Sequence, residues 1–410
     1  MGNVRDDLSP RRRQAALLAL ALGGFGIGLA EFAPMGLLPQ IAQGLRPRLW
    51  AHSHSQAITA AGWMITVYAL GVMVGAPAIA ILAARVSRTL LAISLLVSFA
   101  VGSLASAMAP SFGLELAARF LAGLPHGAYF GVAGSAAATL IGPGGRARGY
   151  AVVLSGLTAA NVVGTPLVAG LGQVTTWRVA FLVIAGVFGL AVAAVWSLVP
   201  SLPASGGSPR AELSVFRSRR MWFVAATVAV GFAGFFAVYT YIAPVTTHLA
   251  GLSTSAVPWV LATAGLGMSV GVAFGGHAAD RSPRRALISG QACVVAAIAL
   301  FAVIARNPVG LFVGVFLVGA TALFTAPAIQ SRLIDVAPGA ELMGAAVNQS
   351  ASNLANSLGA ALGGVAISVG FGYSGPAIIA VVVGALGLVL FSLSFRMGDR
   401  SPVEGELVSA

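Results

Sequence analysis

A chain of 410 residues in which 58% are hydrophobic and only 8% charged is not a water-soluble domain, because such domains carry about a quarter charged residues. Mean hydropathy is +0.92, and apolar runs near the roughly 18 residues needed to cross a bilayer core recur along the whole length. The formal charge of +12 rests on 23 basic residues, every one arginine, that fall between those runs, so they read as topology signals at an anionic leaflet and not as a nucleic-acid footprint.

The runs are rich in Ala, Val, Leu and Gly, as suits helices that pack closely in lipid. The short alternating segments of an outer-membrane barrel are missing. The fold class is therefore an all-α membrane protein of about twelve transmembrane helices. Predicted spans, numbered 1 to 12, cover 15–39, 57–82, 89–109, 112–138, 149–172, 178–199, 222–245, 256–278, 286–305, 309–330, 344–370 and 375–395. Arg11, Arg12 and Arg13 precede the first, which is too long for a signal core and reads as an uncleaved helix. With the N-terminus inside, 18 arginines fall on the cytoplasmic side, 4 on the other, and Arg119 lies within a span. That bias places both termini in the cytoplasm.

The first span carries Glu31 in Gly28-Leu-Ala-Glu31-Phe32-Ala-Pro. It stands as the one clear intramembrane acid, in the outer half of its helix. The fourth span holds Arg119, Gly123, His126 and Phe130 at i, i+4, i+7 and i+11, on one helical face. A charge so deep costs at least ~2.5 kcal/mol and should face a cavity or a partner. Glu31 and Arg119 lie at similar depth, which leaves two readings. Either Glu31 loads and releases a proton as its surroundings alternate, or the two form a permanent ion pair that holds helices together. His126 is either a proton relay or a hydrogen-bonded structural imidazole.

The fifth span reads Asn161-Val-Val-Gly164-Thr-Pro166-Leu-Val-Ala-Gly170, small residues beside a proline that bends the helix. Pro200 to Arg220 is the one substantial polar linker. The expected organisation is a bundle over 1–199, a cytoplasmic linker over 200–221, a second bundle over 222–396 and a tail over 397–410. The halves repeat at a constant offset of 196: Trp63 with Trp259, Gly71 and Gly75 with Gly267 and Gly271, Gly123 with Gly319, Trp177 with Tyr373. Repeated halves place a transporter's substrate site at their interface near the midplane.

Helix 11 aligns Gln349, Asn353 and Asn356 at i, i+4 and i+7, amides that either bind a substrate or join helices. Phe32, Tyr68, Phe130 and Tyr239, with Asn161, complete the candidate cavity lining, and only one of Tyr239 and Tyr241 can face it. Between helices 8 and 9, Gly276-His-Ala-Ala-Asp280-Arg281-Ser-Pro-Arg284-Arg285 joins an acid to an arginine cluster at a helix end. Asp280 paired with a neighbouring arginine would latch one conformation; the alternative is a plain positive-inside loop.

That string resembles the G-x-x-x-D-R-x-G-R-R signature of the major facilitator superfamily, with Pro283 in its second glycine position. The copy one repeat earlier keeps Arg85 and Arg88 but has Ala84 where the signature has aspartate, which implies a weakened latch. The helix 4 string Gly123-Leu-Pro-His-Gly-Ala-Tyr-Phe-Gly and the helix 1 pattern are similar to the drug and sugar efflux branch, including chloramphenicol-resistance and arabinose-efflux-like permeases. Gly164, Pro166 and Gly170 are similar in part to the exporters' antiporter motif. The resemblance covers essentially the whole chain. It implies two pseudo-symmetric six-helix bundles in a bacterial inner membrane, working as a monomer. It further implies efflux of small organic molecules, such as chloramphenicol-like drugs or sugars, in exchange for protons. The alternatives are proton-coupled sugar or nucleoside uptake, or a sensor that no longer transports. No phosphate-binding loop, metal-ligand cluster or nucleophile–base pair is visible, so no cofactor, metal or enzymatic activity is expected.

Overall fold

The computed structural model describes residues 9–83, 86–142, 145–204, 217–335 and 341–398, and every regular element among them is a helix. Twelve spans follow from sixteen helices. They are α1 (Pro10–Gly36), the short α2 (Leu38–Leu45) and α3 (Pro47–His52), α4 (His54–Ala83), α5 (Arg88–Met108), α6 (Phe112–Gly123), α7 (His126–Ile141) and α8 (Arg146–Ala159). Then come α9 (Thr165–Val174), α10 (Trp177–Leu198), α11 (Arg219–Thr240), α12 (Val257–Arg281), α13 (Pro283–Ile304), α14 (Pro308–Asp335), α15 (Glu341–Ala366) and α16 (Gly375–Gly398).

The helices begin where hydroxyls can cap them. The side chains of Ser9, Ser87, Ser111, Thr176, Ser218 and Ser282 each accept a backbone N–H at the start of α1, α5, α6, α10, α11 and α13. Each such cap is worth about 1 kcal/mol. The spans match the sequence reading, with local breaks inside some of them. Ten stretches are long and apolar enough to cross a membrane, and one of them, 346–395, holds two helices, because Gly370 (φ 101°) and Gly372 (φ 59°) reverse the chain. The fourth predicted span is broken into α6 and α7 at Leu124 and Pro125, since proline has no N–H to continue the ladder. His126 opens α7, yet Arg119, Gly123 and His126 keep a common side across the break, since all three lie against Tyr68.

Proline acts differently in the fifth span. The residues before Pro166, Ala160–Gly164, form a widened π-type turn between α8 and α9, the local adjustment that accommodates a missing backbone donor.

The internal repeat is visible in atomic contacts. A Cβ on Gly71 would strike the carbonyl oxygen of Phe120, and one on Gly267 that of Phe316. Gly75 lies against the Leu124 carbonyl and Gly271 against that of Ala320. Gly123 meets the Tyr68 carbonyl, Gly319 that of Ala264. All three partner pairs are separated by the same 196 residues as the glycines. These glycines let α4 cross α6 and α12 cross α14 backbone to backbone, the close approach typical of small-residue packing in lipid.

The two sets of helices meet along two seams. In one, α4 runs beside α15: the Thr59 hydroxyl donates to the Gly364 carbonyl at 3.5 Å, and the Ser350 hydroxyl to the Met73 carbonyl at 3.1 Å. In the other, the fifth span runs beside α12. Gly170 faces Pro258 near one end, and Gly265 lies against the backbone of Asn161 midway. Gly36 and Leu261 add to the closure at the end remote from the interbundle linker. The linker's first residues are tied down: the Thr89 hydroxyl donates to the Pro200 carbonyl at 2.7 Å and accepts from the Leu202 N–H at 3.1 Å.

Candidate functional site

Polar side chains are sparse inside this molecule, and several of them converge on one carboxyl. Glu31 sits near the end of α1, 6% exposed. The Asn356 amide donates to its Oε1 at 3.2 Å, and His126 Nε2 lies 3.9 Å from its Oε2. Asn356 belongs to α15, in the second bundle, so Glu31 bonds across the interface while His126 ties it to its own. The other face of the imidazole is held as well: Nδ1 and the Tyr68 hydroxyl are 2.9 Å apart. A neutral imidazole can donate at one nitrogen and accept at the other. An Nε2–H facing the carboxylate and an Nδ1 accepting from Tyr68 satisfy both contacts.

Arg119 reaches the same cluster by a different route. Its guanidinium lies over the Tyr68 ring at 4.1 Å and near the Phe181 ring at 5.7 Å. A cation placed so over an aromatic face gains on the order of 2 kcal/mol when desolvated. The permanent Glu31–Arg119 ion pair, the alternative to proton loading at Glu31, is therefore not made. Glu31 takes Asn356 and His126 as partners, and Arg119 acts on it only through space.

A second acid was missed. Glu115, one turn before Arg119 on α6, is fully buried, so Glu31 is not the one intramembrane acid. The signal was present in the sequence, because an acid four residues before a buried arginine shares its helix face.

The other cavity candidates sort by position. Phe32 meets Tyr239 edge to face at 5.6 Å, and Tyr239 stacks on Phe235 at 5.4 Å. The Tyr239 hydroxyl has no hydrogen-bond partner, whereas Tyr241 donates to the Ala360 carbonyl at 2.9 Å. Tyr239 is thus the one of the pair with a free polar end beside Glu31. Phe130 lies 5.6 Å from His126 and borders the cluster from below. The Asn161 amide contacts the Met268 sulfur at 3.6 Å, across the second seam. On α15, Asn356 touches Glu31 and the Asn353 amide donates to the Gln349 carbonyl at 3.1 Å, while Gln349 packs beside Gly127. Asn348, bonded to Gln330 of α14, extends this amide row beyond the three residues expected.

The candidate latch lies at the linker end. Gly276 has open space around it, and Asp280, Arg281 and Arg285 are exposed. Asp280 has no ion-pair partner among the described residues. Arg284 lies over the Phe395 ring at 5.9 Å. In the first repeat, Arg88 donates to Thr139 Oγ1 at 2.6 Å and to the Ser135 carbonyl at 3.3 Å, while Arg85 lies outside the described residues. Gly164 of the antiporter-like motif packs on Phe25 and Leu29 of α1, and Gly170 with Pro166 forms the wall beside α12. Among the described residues, no group of three or more His, Cys, Asp or Glu side chains could hold a metal.

Comparison with known proteins agrees with this architecture. The Major Facilitator Superfamily matches the chain over residues 20–258 and again over 237–407. Inner membrane transport protein YdhP of Escherichia coli (strain K12) is 37% identical over 384 residues, covering 93% of this chain and 96% of that protein. A chloramphenicol resistance protein of Streptomyces lividans is 31% identical over 366 residues, covering 88% and 91%. Among solved structures, a bacterial homolog to the human lysosomal transporter Spinster, in an inward-facing and unoccupied conformation, superposes with a TM-score of 0.74 at 16% identity. That superposition covers 96% of this chain and 100% of the other, and speaks for the fold. The chain is a multi-pass membrane transporter, not an enzyme, and it belongs to the major facilitator superfamily.

Proposed function

We propose that this transporter exports small organic molecules of the chloramphenicol kind from a bacterial cell, in exchange for protons carried by Glu31. One observation carries the reading: a buried carboxyl bridges the two bundles, held by Asn356 on one side and by His126 on the other. Charge on Glu31 strengthens its hydrogen bond from Asn356, because hydrogen bonds to an ionised acceptor are roughly twice as strong as neutral ones. It also attracts the polar N–H edge of His126, 3.9 Å away. A proton on Glu31 weakens both contacts and releases α15 from α1. Protonation thereby biases which of two bundle arrangements is favoured, and a ligand that does so drives the transition.

Chemistry around the carboxyl suits an uncharged or amphipathic solute. Phe32, Tyr239 and Phe130 offer aromatic faces, and Asn353 and Gln349 offer amides along one edge. The similarity to a relative named for chloramphenicol resistance supports that solute class. The driving force is ample, since each charge crossing the membrane yields about 2.3 kcal/mol per 100 mV. The arginine distribution supports a cytoplasmic place for the termini and the linker.

Retention of chloramphenicol in an efflux-deficient bacterial strain tests the direction and the energy source. Cells expressing the protein should retain less than cells with an empty vector, and a proton uncoupler should erase the difference. Raised retention would turn the reading into uptake, and export indifferent to the uncoupler would remove protons from it.

A further inference from the structure

Proton exchange at Glu31 leaves the second buried acid, Glu115, without a task. Glu115 is 0% exposed, and neither of its carboxyl oxygens has a hydrogen-bond partner. Arg119 lies four residues on, about 6 Å deeper along the same helix. Ser106 of α5 and Arg178 of α10 are the other polar groups that face Glu115. Arg178 is already engaged: it donates to the Ala109 carbonyl at 2.7 Å and lies over the Trp177 ring at 4.1 Å. Ser106 offers only a neutral hydroxyl, which leaves Arg119 as the cation that can answer Glu115; its Nε and Nη2 have no hydrogen-bond partner either.

Arg119 therefore stands between two acids and is bonded to neither. Its charge acts on Glu115 on one side and on Glu31 on the other, and the Tyr68 ring supports it between them. A permanent structural bridge would show the closed, paired hydrogen bonds that arginine makes with a carboxylate. A cation held over an aromatic ring between two carboxyls, and paired with neither, is the geometry of a switch.

We propose that Glu115 is a second proton-carrying residue, and that Glu115 and Glu31 share Arg119 so that together they hold one proton. In one state Glu115 is protonated and Arg119 pairs with ionised Glu31. In the other, the O–H bond of Glu115 has broken, one has formed on Glu31, and the guanidinium has moved to Glu115. One proton goes one way and one cation the other, so the site stays neutral in both states. This matters because an uncompensated buried charge costs several kcal/mol. Glu115 lies on the first turn of α6, between the end remote from the linker and Glu31, where protons arriving from that side meet it first. The proposal rests on the proton-exchange reading for its purpose, but not for its test.

That test needs no transported solute. Infrared spectra of purified protein, recorded as the pH is changed, count the buried carboxyls that are protonated near neutral pH. Wild type should show one, and either none or two would overturn the proposal even if every variant misfolded. Removing one acid frees Arg119 for the other. In Glu115→Gln, Glu31 should therefore lose its proton at a pH lower than the shared pair does, by about one unit or more. Glu31→Gln should move Glu115 in the same sense, and Glu115→Asp should restore the shared titration. Midpoints that stay put when the partner acid is removed would show independent groups and sink the switch. Failed export with a shared titration would instead strike only the proposed function.

Discussion

Glu31→Gln is expected to lower uncoupler-sensitive export about 10- to 100-fold, the range that corresponds to a coupling free energy of ~1–3 kcal/mol. Glutamine keeps the size of the side chain and can still bond to the Asn356 amide and to His126. What it cannot do is change charge. The contacts at 3.2 Å and 3.9 Å would persist in every state, and no proton could weaken them. The variant should therefore fold, reach the membrane at wild-type levels and fail at exchange. Binding of solute in the absence of a proton gradient should survive, which separates lost coupling from a lost site. Energised export at the wild-type rate would make Glu31 a structural link between α1 and α15.

Gly75→Leu should prevent a stable first bundle from forming. Its Cβ would collide with the Leu124 backbone, where α4 crosses the Leu124–Pro125 break. A backbone cannot swing aside as a side chain can, so the cost should reach or exceed the ~3 kcal/mol upper end of ordinary overpacking. The same break positions His126, and a partly rescued variant should lose transport as well. Gly186→Ala is the matched control. It sits in the interior of α10 with nothing within 4 Å of an added Cβ, so helix propensity alone predicts neutrality or a gain of about 0.5–1 kcal/mol. Thermal unfolding in detergent, with membrane yield, checks both. A Gly75→Leu protein as stable as wild type would contradict the backbone-to-backbone crossing.

The fold was legible because its causes are local. Length and apolarity set the spans, serines and threonines mark helix starts, and the 196-residue offset announced contacts that the structure repeats carbonyl for carbonyl. The candidate site was legible only in part. Glu31, Arg119, His126, Tyr68 and Asn356 were all named, and all five gather at one place. Their pairing was not readable, because it depends on rotation about helix axes that the sequence leaves open. Helical spacing put Arg119 and His126 on one face, and both do meet Tyr68 despite the break at Pro125. A charge-matching argument paired Glu31 with Arg119, yet an amide and an imidazole lie closer. Glu115 was missed for a different reason: it sits three residues inside a span boundary, where an acid passes for a loop residue. Its spacing of four from Arg119 was the sequence signal, and burial confirms it.

Proton movement in sealed proteoliposomes is the most direct measurement of the central claim. Purified protein would be reconstituted with a pH-sensitive dye inside, and a chloramphenicol gradient imposed in either direction. Exchange predicts that protons move opposite to the solute, that reversing the gradient reverses them, and that Glu31→Gln abolishes the signal. Protons moving with the solute, or solute crossing with no proton movement in wild type, would contradict it.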